Sequence, residues 1–183
     1  FPDACNTQQA LKRKGKDIKV IYGLEGYLVD DGPSVCWSFD QDADLAEGFV
    51  ALDVETTGLD PAENRVIEIA AVRFISDGAG GWKTDDRFVC FVDPGIPVPA
   101  KITEITGITS EMLRGGRVPF EAISELADFI GDMPLVAHNA FFDLGFLRYE
   151  GFRTDAETDP RVKFNMPVVV TLAMSRALMP ELT

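Results

Sequence analysis

The strongest constraint on this chain is the run Phe49-Val50-Ala51-Leu52-Asp53-Val54-Glu55-Thr56-Thr57-Gly58. An apolar stretch with β-branched residues, closed by a Thr-Thr-Gly turn, reads as a buried central strand. Two carboxylates interrupt it near its end. Side chains alternate along a strand, so Asp53 and Glu55 point the same way, one pleat apart. Two acids so placed repel each other, and burying either one unpaired is costly. A hard divalent cation resolves both problems, because Mg²⁺ and Mn²⁺ prefer carboxylate oxygens. Taken alone, the D-x-E pair fits a strand fraying into solvent better. The rest of the chain decides between the two.

At 183 residues and 46% hydrophobic, the chain can bury a full core, most simply as one domain plus an appendage. No apolar run approaches the ~20 residues needed to span a bilayer, so no membrane partner is expected. The N-terminus, Phe1-Pro2-Asp3-Ala4-Cys5, lacks the basic-then-apolar order of a signal peptide. Both ends read as cuts in a longer polypeptide. Cys5, Cys36 and Cys90 are odd in number and scattered, which fits reduced thiols in a cytoplasmic protein. The net charge of −13 argues against a broad basic surface that grips nucleic acid by counterion release. It leaves room for a local cleft in which bound metals supply the positive charge.

Residues 1–32 form a strip of their own. Lys12, Arg13, Lys14, Lys16 and Lys19 make a solvated basic face, followed by a short strand over Ile18–Gly23. The strip is too small for a core and is expected to pack poorly on the residues that follow. Residues 33–47 are acidic and read as a linker. From Gly48 the domain proper begins. Arg65–Phe74 alternates as a second strand and Arg87–Val92 returns as a third, an antiparallel meander. Lys101–Arg114 reads as two short helical pieces around Gly107, and Phe120–Ile130 as a helix. Leu135–Ala137 is a brief buried strand, and Asn139 caps a helix from Ala140 to about Tyr149. A loop covers Gly151–Lys163, then Val168–Val170 is a last strand and Thr171–Leu178 a last helix. The β-β-β-α-α-β-α-β-α order predicts an α/β fold, a mixed five-stranded sheet with helices on both faces.

A third acid stands out. Asp143 has Ala140, Phe146 and Leu147 as helical neighbours and Phe142 and Leu144 beside it. An Asp on so apolar a face either has a strong partner or lies at a cleft. Glu68, by contrast, reads as a paired structural acid, Phe142 as core, and His138 as an imidazole bonding the strand–helix corner.

At these residues the chain resembles a known family. Val50 through Gly58 is similar to the first motif of the DEDD 3′→5′ exonucleases, whose fold is RNase H-like. Leu135-Val136-Ala137-His138-Asn139-Ala140-Phe141-Phe142-Asp143 resembles their second motif, and Ile105-Thr106-Gly107-Ile108-Thr109 their loop near the substrate 3′ end. The resemblance implies two divalent ions, Mg²⁺ or Mn²⁺, held by Asp53, Glu55, Asp143 and a fourth Asp, with the carboxylates converging on them. It implies that a single-stranded or frayed 3′ DNA end meets Thr56, Thr57, Gly58, Thr106, Gly107, His138, Asn139 and Phe142. The family's third motif, H-x-x-x-x-D, brings a general-base His and the fourth Asp. The sole histidine here is His138, so that motif is expected beyond Thr183, and the 183 residues alone are expected to be weakly active. Val170 stands where relatives often carry Asp and reads as a structural change.

The flank Ile18 through Gly32 resembles the PHP-domain segment that precedes the exonuclease in PolC-type replicative DNA polymerase III α subunits, where the exonuclease is inserted within the PHP domain. Glu25 falls on a position where that family carries a PHP metal ligand. The implied function is proofreading, with the remainder of the polymerase chain and the PHP domain as partners. Two rivals stand beside it: an exonuclease of RNA ends or oligoribonucleotides, which the flank disfavours, and a non-catalytic binding module on the same fold, which has no need of three convergent acids.

Overall fold

The computed structural model describes residues 13–15, 35–37, 45–154 and 160–179, apart from the side chains of residues 160 and 161. The chain divides into two compact units, Phe1–Gly32 and Pro33–Thr183. Glu25 and the strand expected at Ile18–Gly23 lie outside the described residues.

The second unit is built on a six-stranded sheet in the order β1-β6-β5-β2-β3-β4. Its strands are β1 (Cys36–Trp37), β2 (Gly48–Thr56), β3 (Val66–Ser76), β4 (Trp82–Phe91), β5 (Leu135–Ala137) and β6 (Val168–Val170). Its helices are α1 (Ala100–Thr106), α2 (Pro119–Ile130), α3 (Ala140–Arg153) and α4 (Thr171–Leu178). β2, β3 and β4 form the antiparallel meander, whereas β2, β5 and β6 run parallel. The parallel half needs helical crossovers, which α3 and its neighbours supply.

β2 alternates as its sequence dictates. Val50, Leu52, Val54 and Thr56 are buried, while Asp53 is exposed and Glu55 half-buried on the opposite face. The buried face packs with Ile69 and Ala71 of β3 against Ile123, Leu126 and Ile130 of α2 and Phe146 and Leu147 of α3. Each of the Ile, Leu and Phe side chains, fully removed from water, contributes on the order of 1.5–3 kcal/mol.

One irregularity shapes the other face. The β2–β3 register runs Glu55 opposite Glu68 and then Thr56 opposite Val66, so Ile67 is an extra residue, a β-bulge. Ile67 leaves the main core and joins Ile108 and Leu113 in a second cluster, with Phe91, Val98 and Ile102 packed around it. Phe91 pairs with Glu68 across β3 and β4, which puts this cluster on the face that carries Glu55 and Glu68. Helix α1 and its following loop therefore lie over the acidic face, while α2 and α3 cover the other.

Several expectations need correction. Cys36–Trp37, inside the segment read as linker, pairs antiparallel with Val168 and Val169 of β6 and adds a sixth strand. The Val168–Val170 run would otherwise leave a bare apolar sheet edge. β4 begins at Trp82, well before Arg87, through pairing with β3; residues 82–87 are exposed and show no apolar alternation, which hid this stretch from the sequence. Its hairpin loop is set by Asp77, whose carboxylate accepts the N–H groups of Ala79 and Gly81 at 2.7 and 2.9 Å. Those bonds hold the Asp77 carboxyl below the usual range. The second helical piece after Gly107 does not form. Residues 110–115 are turns, with the Gly116 N–H bonded to the Leu113 carbonyl at 2.9 Å. Helix α3 continues to Arg153, and a 3-10 turn occupies Pro160–Lys163 within the expected loop.

Replacing Ile67 by Ala should cost about 2–4 kcal/mol in urea unfolding. Hydrogen exchange should show the loss concentrated in residues 102–113, with α2 less affected. Equal loosening of both regions would mean the second cluster has no local role.

Candidate active site

The site is set by where a strand outruns its neighbour. The Val50 N–H donates to the Pro134 carbonyl at 2.9 Å, so every second N–H from Val50 faces β5. β5 ends at Ala137, and the His138 carbonyl accepts instead from the Leu172 N–H at 3.0 Å. The Val54 N–H, two rungs on, is thereby left without a strand partner. The Asp143 carboxylate fills the gap, accepting from Val54 at 3.1 Å. Asp143 sits in the first turn of α3 and is 3% exposed. Helix and strand thus meet at one buried carboxylate.

Three more acids share its field. Asp53 and Glu55 project from one face of β2, and Glu68 stands opposite Glu55 on β3. Burial, the charge on Asp53 and that on Glu55 push the Asp143 carboxyl up to about 6, against the opposing pull of the Val54 N–H. Burial, then Asp53, then Glu68 raise Glu55; burial, then Asp53, raise Glu68. None of the four has a salt-bridge partner among the described residues. Glu68, expected to be a paired structural acid, faces a like charge instead. The donors are all carboxylate oxygens, which suits a hard divalent ion. Among the described residues no three His, Cys, Asp or Glu side chains close into a ready-made metal cage, so the expected three-carboxylate convergence on a metal is not shown.

The remaining candidates surround the end of β2. Thr56 and Thr57 are buried, and the Thr56 hydroxyl donates to the Gly58 carbonyl at 2.6 Å. The Thr57 hydroxyl donates to Asn64 Oδ1 at 3.3 Å and accepts the Arg65 N–H at 2.9 Å. A Cβ on Gly58 would lie 2.4 Å from Asn64 Oδ1, so a side chain there would have to displace the Asn64 amide. Gly107 ends α1 at φ 77°, a left-handed cap, and the Thr106 hydroxyl turns inward to the Ile102 carbonyl and the Ile108 N–H. His138 is exposed, with Nδ1 3.2 Å from Thr171 Oγ1 at the start of α4, the strand–helix corner. Asn139 takes the cap position of α3, but its side chain makes no capping bond; its carbonyl accepts from Phe142. Phe142 is half-buried against Phe146, ring centroids 4.9 Å apart.

Residues 50–183 match the Exonuclease (RNase_T) family model. The chain belongs to the exonuclease family. Over 182 residues, all of its length, this exonuclease chain is 41% identical to the PolC-type DNA polymerase III of Halalkalibacterium halodurans, and over 181 residues 40% identical to that of Bacillus subtilis. It spans about 12% of the length of each of those relatives. Among solved structures it is similar to product-bound exonuclease I, with a TM-score of 0.62 at 21% identity, over 74% of this chain and 33% of that one. The zinc-bound form of the Escherichia coli exonuclease I complex with single-stranded DNA scores 0.59 at 22% identity, over 74% and 31%. At such identities the likeness shows the fold.

Sequence reasoning passed over Glu150 and Arg153. Glu150 is 2% exposed; Oε1 accepts the Val66 N–H at 3.4 Å and the Arg153 guanidinium at 3.1 Å. The signal that singled out Asp143, an acid on an apolar helix face, recurs at Glu150 two turns later on the same side of α3.

A titration test follows from Asp143. An acid whose folded-state pKa lies above its unfolded value holds more protons folded than unfolded between the two. Stability therefore falls as pH climbs from about 4 to about 6 and the contribution stays lost above that. The scale is at most about 3 kcal/mol. In EDTA, Asp143→Asn should therefore melt higher than the parent at pH 7.5 and converge on it near pH 4. Lower stability of Asp143→Asn at pH 7.5 would show that the buried charge is better compensated than its neighbours indicate.

Proposed function

We propose that this exonuclease domain removes nucleotides from the 3′ end of single-stranded or frayed DNA, serving as the proofreading domain of a PolC-type replicative polymerase in the cytoplasm. The observation that carries the reading is the Asp143–Val54 hydrogen bond. It seats an acid from 89 residues downstream beside the strand that bears Asp53 and Glu55. A non-catalytic module has no use for a buried carboxylate whose pKa burial and neighbouring acids push up, since it weakens the unliganded fold.

Asp53, Glu55 and Asp143 are the groups that would hold Mg²⁺ or Mn²⁺. The ions, when bound, would supply an acidified water as nucleophile and stabilise the leaving 3′ oxygen. The chain's own residues orient the substrate. The Thr56–Gly58 backbone, closely approachable because Gly58 lacks a side chain, faces the terminal nucleotide, and the Thr106–Gly107 turn flanks it from the acidic face. The strongly negative chain repels a phosphodiester backbone until cations enter, so binding is expected to require divalent ions. A duplex end must open before its last phosphate reaches the acids. The PolC-type relatives favour DNA over an oligoribonucleotide substrate, and the PHP-like flank points to the rest of a polymerase chain as partner, with Glu25 as a PHP metal ligand there.

The assay is release of label from 3′-labelled single-stranded DNA in Mg²⁺ or Mn²⁺, using this chain and a longer polypeptide that carries the expected downstream His and Asp. The longer one should be faster by about 10²–10⁴-fold, the usual worth of a general base. Asp53→Ala and Glu55→Ala should abolish release while leaving the fold intact. Unchanged activity in Asp53→Ala would overturn the mechanism, and faster release from the matching RNA would favour the RNA-end reading.

A further inference from the structure

Helix α3 touches the β2–β3 hairpin twice. Its first turn holds Val54 through Asp143. Its last turn holds the connection between the two strands, through the Glu150–Arg153 pair. The Arg153 guanidinium donates from one terminal nitrogen to the carbonyls of Pro61 and Ala62, each at 2.6 Å, and from the other to the Asn64 carbonyl at 2.8 Å. Glu150 neutralises it from below at 3.1 Å and also accepts the Val66 N–H, the first residue of β3. The Arg153 side chain is only 17% exposed and lies 4.5 Å over the Tyr149 ring, which leaves it little rotational freedom.

These contacts lead straight to the substrate end of the site. Asn64, whose carbonyl Arg153 holds, also accepts the Thr57 hydroxyl and donates to the Asp60 carbonyl at 3.0 Å. Thr57 and Arg65 are bonded twice, Thr57 N–H to the Arg65 carbonyl at 2.8 Å and Arg65 N–H to the Thr57 hydroxyl at 2.9 Å. A loop of this kind, with its carbonyls turned toward one point, would otherwise sample many conformations. One guanidinium with several donors in a fixed plane converges those carbonyls; a lysine ammonium on a flexible stem does not reproduce that geometry.

We propose that Arg153, seated on Glu150, is a positioning residue for substrate. By fixing the Asp60–Arg65 loop it pre-sets the Thr56–Thr57–Gly58 backbone on which the terminal nucleotide rests. The proposal rests on the reading of the chain as a 3′-end exonuclease. It places the ordering of that loop before binding, so loss of Arg153 weakens capture of the 3′ end by the ordering then required at each binding event.

The test compares the parent chain, Arg153→Lys, Glu150→Gln and Ile123→Val. The last is a core change in α2, remote from the loop, that controls for lost stability. Affinity for a 5′-fluorescent single-stranded DNA with a free 3′ end is read by anisotropy in Mn²⁺, and hydrogen exchange is followed over residues 57–65. Arg153→Lys should weaken binding roughly tenfold and speed exchange in that segment, Glu150→Gln should do so less, and Ile123→Val should leave both at parental values. Parental affinity in Arg153→Lys, or an equal loss in Ile123→Val, would overturn the positioning role while leaving the exonuclease reading intact. If the parent chain itself fails to bind the single strand in Mn²⁺, the proposed capture of a 3′ end by these residues falls and the positioning role falls with it.

Discussion

The architecture of the site depends on a single unpaired rung. β5 stops at Ala137, short of where β2 continues, and a backbone N–H in the middle of a protein must find an acceptor. That acceptor is the Asp143 carboxylate. The bond satisfies Val54, fixes the rotation of α3 about its axis, and holds a carboxylate where burial and two neighbouring acids oppose its charge. A neutral side chain would serve the strand as well. The charge of an acid there is therefore more than the strand requires.

The two faces of the sheet divide the work. One is a continuous apolar core between β2, β3, α2 and α3. The other carries Asp53, Glu55 and Glu68, with only a small apolar cluster under the α1 segment to hold the loop beside them. The core face supplies the rigidity that lets like charges stay close on the acidic face. Without cations, those charges oppose folding.

Much of this was legible in the sequence, for identifiable reasons. The strand carrying Asp53 and Glu55 announced itself because alternation and composition agree over its whole length, and the Asp143 helix because an acid interrupts an apolar face. β5, β6 and α4 fall where their short apolar runs and the Pro180 break put them. The start of β4 was hidden, because an edge strand with both faces wet carries no period-two signal. Cys36–Trp37 was hidden since two residues hold no pattern, and their strand state comes from β6. Arg153 was missed because most of its partners are backbone carbonyls, which leave no mark on residue identity, whereas Glu150, bonded to the Val66 N–H and to Arg153, carried the same apolar-face signal as Asp143 and was passed over. The capping bond assigned to Asn139 fails because its backbone, at φ −122° and ψ 62°, departs from the extended geometry such caps use.

The bulge at Ile67 makes the site a matter of parity. Downstream of it, odd-numbered residues of β3 such as Ile69 and Ala71 face the core and even-numbered ones the acids; across it, at Val66, the alternation is reset by one. Val66 and Ile69 can therefore both serve the main core, although three positions separate them. A shortening of the strand by one residue here would preserve hydrophobicity and length almost unchanged, yet only one of the two flanks could keep its facing. Either Glu68 would turn toward α2 and α3, or Val66 would turn away from them and carry the Glu150 anchor with it. The facing of the hairpin is thus set by its residue count, which a substitution leaves intact and an insertion or deletion does not.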